Sequence, residues 1–135
     1  MRRRRKLRTF VSALDVLEID VSFDPAPNPS MGRIAPSGPL RVQCARADTL
    51  LATGEVEVPD VIKIDVEGAE AAVLRGARRI MERQPVILLA THGVQAHREC
   101  FGLLTAAGYE LVSLHGSSPE RTDEIVALAP KDAKP

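Results

Sequence analysis

The stretch "DVIKIDVEGAEAAVLRGA", residues Asp60–Ala77, decides the fold. Its first part, "VIKIDV", sets apolar residues around Lys63 and Asp65, between Pro59 in front and Gly68 behind. That is a strand bounded by breakers. Three acids then fall within residues 65–70, and from Ala69 the period changes. Ala69, Ala72, Val73, Gly76, Ala77, Ile80 and Met81 recur at helical spacing, which predicts one amphipathic helix ending at Gln84-Pro85. Its small residues let it lie close on a sheet.

Working outward, "PVILLATHG" is a nearly continuous apolar run, expected to be a strand buried on both faces. A second helix is expected from about Gln95 to Ala107, with His97, Cys100, Phe101, Leu104 and Ala107 as its stripe and Gly108 as its stop. "YELVSLHG" and "DEIVALAP" read as two strands joined as a hairpin, the last one antiparallel. Upstream, Val16–Phe23 and "LRVQCARAD" alternate as strands, the second near an edge. Between them, residues 24–39 hold five prolines and two glycines and read as a loop. Strands alternating with helices mean βαβ crossovers and an α/β fold with parallel strands.

In such sheets ligands bind beyond the carboxyl ends of the strands. One end carries Asp65, Glu67 and Gly68, the other Thr91, His92 and Gly93. Neighbouring parallel strands would bring Asp65 and His92 to one crevice. A plainer role for Asp65 is to cap the following helix; capping does not account for Glu67 and the glycine as well. Lys63 is expected to pair with an acid at the sheet surface. His92, His97 and Cys100 have poor spacing for structural zinc, and no metal site is expected. The nine glycines contain no G-x-G, so the dinucleotide fingerprint and the P-loop are absent, and there is no G-x-S-x-G elbow.

The zero net charge over 135 residues conceals an asymmetry. Six of the basic residues fall within positions 2–8, and the rest of the chain carries six more acids than bases. An acidic body argues against a nucleic-acid surface. No apolar run is long enough for a membrane span or a secretory signal. Two cysteines without CxxC spacing suit a reducing, cytoplasmic setting. The expected organisation is a basic, disordered segment 1–10, one domain over 11–130 and a disordered tail 131–135.

"VIKIDVEGAEAAVLRGARRIM", "PVILLATHG" and "LLTAAGYELVSL" together resemble the C-terminal half of the FkbM-type methyltransferases, over about residues 21–129. "ADTLL" resembles that family's segment before the strand, with Ala47 in place of leucine. The resemblance implies a class I, Rossmann-like fold ending in an antiparallel strand. It implies S-adenosylmethionine as cofactor and O-methylation of a sugar or other small metabolite. By position it puts Asp65, Glu67 and Gly68 at the cofactor, makes Asp65 or His92 the catalytic base, and lays Asn28, Ser30, Met31 and Gly32 over the small-molecule acceptor. The family's glycine-rich cofactor loop has no counterpart here, and Ala90 stands where a glutamate is frequent. The chain is thus expected to be the rear half of such a domain, starting after its third strand, with stand-alone activity in question. The competing expectation is a non-catalytic remnant or interaction domain whose open sheet edge pairs with another chain, including a second copy of itself.

Overall fold

A computed structural model describes residues 18–25, 27 and 32–130. The chain runs β1 (Glu18–Asp24), β2 (Arg33–Ile34), β3 (Leu40–Ala45), α1 (Ala47–Ala52), β4 (Val61–Ile64), α2 (Glu70–Arg75), α3 (Arg78–Met81), β5 (Val86–Ala90), α4 (Val94–Ala106), β6 (Glu110–Ser113) and β7 (Glu124–Leu128). A 3-10 turn, Pro119–Arg121, precedes β7. This is an α/β protein whose described residues form two sheets, one antiparallel and one mixed.

The first sheet has the order β2-β1-β3 and is antiparallel throughout, so β3 does lie at an edge. It does not join the other strands in one parallel sheet, as the alternation of strands and helices had suggested. The proline-rich segment is also not wholly a loop. Its residues 33 and 34 pair with Asp24 and Phe23, and the Ala35 N–H donates to Ser22 O at 3.0 Å. Gly38 permits the tight return, since a Cβ there would meet the Phe23 carbonyl carbon at 2.3 Å.

The second sheet has the order β4-β5-β7-β6. Strands β4 and β5 are parallel, β7 is antiparallel to both its neighbours, and β6 therefore runs with β5. The expected hairpin forms, but its second strand slots between β5 and β6 and leaves β6 as an edge. The reason is burial. Ile125 and Ala127 of β7 are 0% exposed, as is Ile87 of β5, whereas β6 has the pattern of a rim strand. Strand β5 alternates fully and partly buried residues, so only one of its faces is sealed. That face packs against α2 and α4, and the core joins Ile64, Leu74, Met81, Leu89, Cys100, Leu104 and Tyr109. Leu104 is 0% exposed, and its truncation to Ala would destabilise by about 2–5 kcal/mol.

The helix expected as one piece from Ala69 is two. The break at Gly76–Ala77 has a distant cause. Asp48, at the start of α1, donates its N–H to Gly76 O at 3.0 Å. Its buried carboxylate accepts the N–H groups of Arg79 at 3.1 Å and Ile80 at 3.2 Å. A capping acid from another element thus starts a second helix where a continuous one would have buried an unpaired aspartate. The second long helix begins one residue earlier than expected, at Val94, and Gly108 ends it with φ +83°.

Candidate active site at the ends of β4 and β5

Parallel pairing of Ile64 with Leu89 brings the two carboxyl ends level. The chain leaves β4 through Asp65 and Val66 and turns sharply. Glu67 has φ +48° and Gly68 φ +98°. A left-handed residue that is not glycine stores strain of about 1–3 kcal/mol, so this turn is held by its surroundings. Its effect is to point the Glu67 carboxylate back toward β5. After β5, Thr91 and His92 lead to Gly93, itself at φ +97°, and α4 begins.

The structure brings Asp65, Glu67 and His92 together. His92 Nε2 lies 3.4 Å from Glu67 Oε1 and 3.8 Å from Asp65 Oδ1. Asp65 also meets Lys63 Nζ at 3.5 Å, the pairing expected for that lysine. Asp65 does not cap α2, which has Ala69 at its N-cap position and no side-chain cap. The capping explanation for Asp65 therefore falls away. The donor atoms of Asp65, Glu67 and His92 lie within 4.8 Å of one another, so they can surround a small cationic group. His97 and Cys100 stand apart from them. The His97 Nδ1 meets the Thr91 hydroxyl at 3.2 Å and its ring packs near Phe101. The Cys100 thiol is fully buried and pushed up to about 12 by desolvation, which leaves it inert.

The last of the three acids within residues 65–70 also belongs to the site. Glu70 is 0% exposed. Its Oε1 accepts the Gly68 N–H at 2.9 Å and lies 2.7 Å from His92 Nδ1. A signal for its burial was present: Glu70, Val73, Leu74 and Ala77 share the helical spacing of a buried stripe. Thr91, expected with His92 at the second strand end, plays a structural part. It is buried, its N–H donates to Asp123 O at 2.8 Å, and it ties the end of β5 to the loop before β7. The imidazole of His92 titrates above its ordinary 6.5; the hydrogen bond to Glu70 is the main cause, burial opposes it, and Glu67 and Asp65 add to it.

Of the residues expected over the acceptor, Asn28, Ser30 and Met31 lie outside the described residues. Gly32 is described, and it sits against Phe23 and Asp24 of β1; a Cβ there would meet the Phe23 ring at 2.5 Å. Its proximity to that ring explains the glycine without any ligand. Both cysteines are buried and neither is in a disulfide among the described residues, and no helix among those residues is long and apolar enough to cross a membrane.

Residues 9–111 match the family model described as the methyltransferase FkbM domain. The match starts before the region over which the sequence motifs pointed to that family and ends short of its end. AglP, a hexuronic acid methyltransferase of Haloferax volcanii, is 30% identical to the chain over 90 residues, covering 65% of this chain and 38% of that protein. The chain thus spans well under half the length of this relative. No solved structure matches the chain.

Proposed function

The chain belongs to the FkbM methyltransferase family, and from that membership we propose that the crevice at the ends of β4 and β5 is the acceptor half of an S-adenosylmethionine-dependent O-methyltransferase site. The observation that carries this reading is the convergence of Asp65, Glu67 and His92 there. The strand order β4-β5-β7-β6, with an antiparallel strand between parallel ones, supports a class I, Rossmann-like arrangement.

The donor set suits the cofactor. When bound, S-adenosylmethionine supplies a methyl group on a sulfonium, a cation that loses its charge as the methyl leaves for oxygen. Asp65 and Glu67 offer carboxylates to that charge, and the open turn at Gly68, where a Cβ would have no neighbour within 4 Å, admits a close approach to the backbone. His92 is the base: its Nε2 faces the crevice and can take the acceptor's hydroxyl proton, with Asp65 beside it as the alternative acceptor of that proton. Aligning oxygen and methyl is the larger part of the catalysis. The acceptor would be a hydroxyl of a sugar or other small metabolite. Uronic acids are the first class to try, because AglP carries that substrate in its name. A cytoplasmic setting fits the two reduced cysteines.

Transfer of a labelled methyl group from S-adenosylmethionine to a panel of sugars and uronic acids tests the proposal. The wild-type chain should label at least one acceptor and His92→Ala should lose about 100-fold or more in rate. An unchanged rate in His92→Ala and in Asp65→Asn would remove both residues from the mechanism.

A second reading is favoured by one observation. Strand β4 ends the four-stranded order with its outer side unpaired among the described residues, and Val61 on it is 56% exposed. An apolar open edge recruits another strand. The chain would then act as an interaction domain, or would complete its site with a partner or a second copy.

A further inference from the structure

We infer that Glu70 is the positioning residue of the crevice: its buried carboxylate fixes His92 in the Nδ1–H tautomer, so that Nε2 is the atom offered to the acceptor hydroxyl. The inference rests on His92 being the base, and extends it to a residue that touches neither acceptor nor cofactor.

The geometry supplies three steps. First, Glu70 Oε1 already accepts the Gly68 N–H, so it meets His92 as an acceptor and the ring nitrogen at 2.7 Å must be the donor. That commits Nδ1 to carry the proton in the neutral ring and leaves the lone pair on Nε2. Second, Nε2 faces two acids, Glu67 at 3.4 Å and Asp65 at 3.8 Å. Were the tautomer free, these acids would draw an N–H to Nε2 and the neutral ring would have no base to offer the crevice. Glu70 wins that competition by distance and by burial, since it is 0% exposed while Glu67 and Asp65 side chains are 27% and 42% exposed. Third, the buried carboxylate of Glu70 is only half satisfied. Its Oε2 has no hydrogen-bond partner among the described residues, and an unsatisfied buried polar atom opposes folding.

In the step this arrangement serves, the acceptor O–H bond breaks and its electron pair stays on oxygen, while the proton passes to Nε2. The resulting imidazolium keeps its Nδ1–H on Glu70. The pattern is that of a carboxylate orienting a catalytic imidazole.

The test is nitrogen-15 NMR of the His92 ring in the 135-residue chain, titrated with pH, in wild type, Glu70→Gln and Glu70→Leu. Wild type should show the Nδ1–H tautomer once the ring is neutral. Glu70→Gln, which keeps an acceptor oxygen and loses the charge, should keep that tautomer and titrate at lower pH. Glu70→Leu should lose the tautomer preference. Methyl transfer, measured alongside, should shift its acid limb to lower pH in Glu70→Gln. A Nδ1–H preference that survives in Glu70→Leu would overturn the inference. So would a Glu70→Gln chain titrating as wild type does, and that variant decides the matter if the leucine variant does not fold. Because the ring signals do not depend on turnover, a chain with the expected tautomer but no methyl transfer would refute the function and leave only the tautomer set by Glu70 standing.

Discussion

At the scale of residues, the site depends on one imidazole held among three carboxylates. His92 gains its partners only in the fold, and its titration is raised above 6.5 chiefly by Glu70. A raised histidine stabilises the protein fully below its unfolded pKa, and that contribution is lost as pH climbs through the folded value. Chemical denaturation across the pH range should therefore show stability falling in the window that starts near neutrality, and His92→Gln should flatten that fall. An unchanged profile in the variant would mean the ring has no coupling to the acids. The pair Asp65 and His92 was legible in the sequence, because they sit one and two residues past the ends of apolar strands and parallel pairing does the rest. Glu67 was legible as an unexplained acid, though not its left-handed backbone, which only the closed turn imposes. Glu70 was not read as part of the site, because an acid in the first turn of a helix has an ordinary dipole explanation. Its helical register held the contrary clue.

At the scale of elements, strands and helices were readable wherever the period was set by local burial. The failures lie where a distant group intervenes. The helix after β4 looked continuous because its apolar spacing runs unbroken through Gly76, yet Asp48 reaches across to start α3 anew. Nothing within residues 69–84 carries that information. Asp48→Ala would leave the N–H groups of Arg79 and Ile80 without a partner, the second of them buried, and remove a cap. It should destabilise the chain by about 1–3 kcal/mol, read as a shift in denaturation midpoint. A stability equal to wild type would show that α3 does not need this cap. Strand β2 escaped notice for a similar reason: two residues are too short to show a period, and their partners, Asp24 and Phe23, lie on another strand.

At the scale of the whole molecule, sequence alternation gave the α/β class but not the division into two sheets, nor the place of β7. Hairpin logic joins β6 to β7 correctly and is silent about which of them faces β5; the fully buried Ile125 and Ala127 decide it. Among the described residues the same view leaves β4 as an open edge beside the crevice, so the site and the edge belong to one end of one sheet. That makes cofactor binding the most direct test of the central claim. Isothermal titration of the chain with S-adenosylmethionine should give saturable heat, and Asp65→Asn should weaken the binding by removing a carboxylate from the sulfonium's surroundings. No heat at millimolar cofactor, with the wild-type chain folded, would contradict the claim and leave the interaction-domain reading in its place.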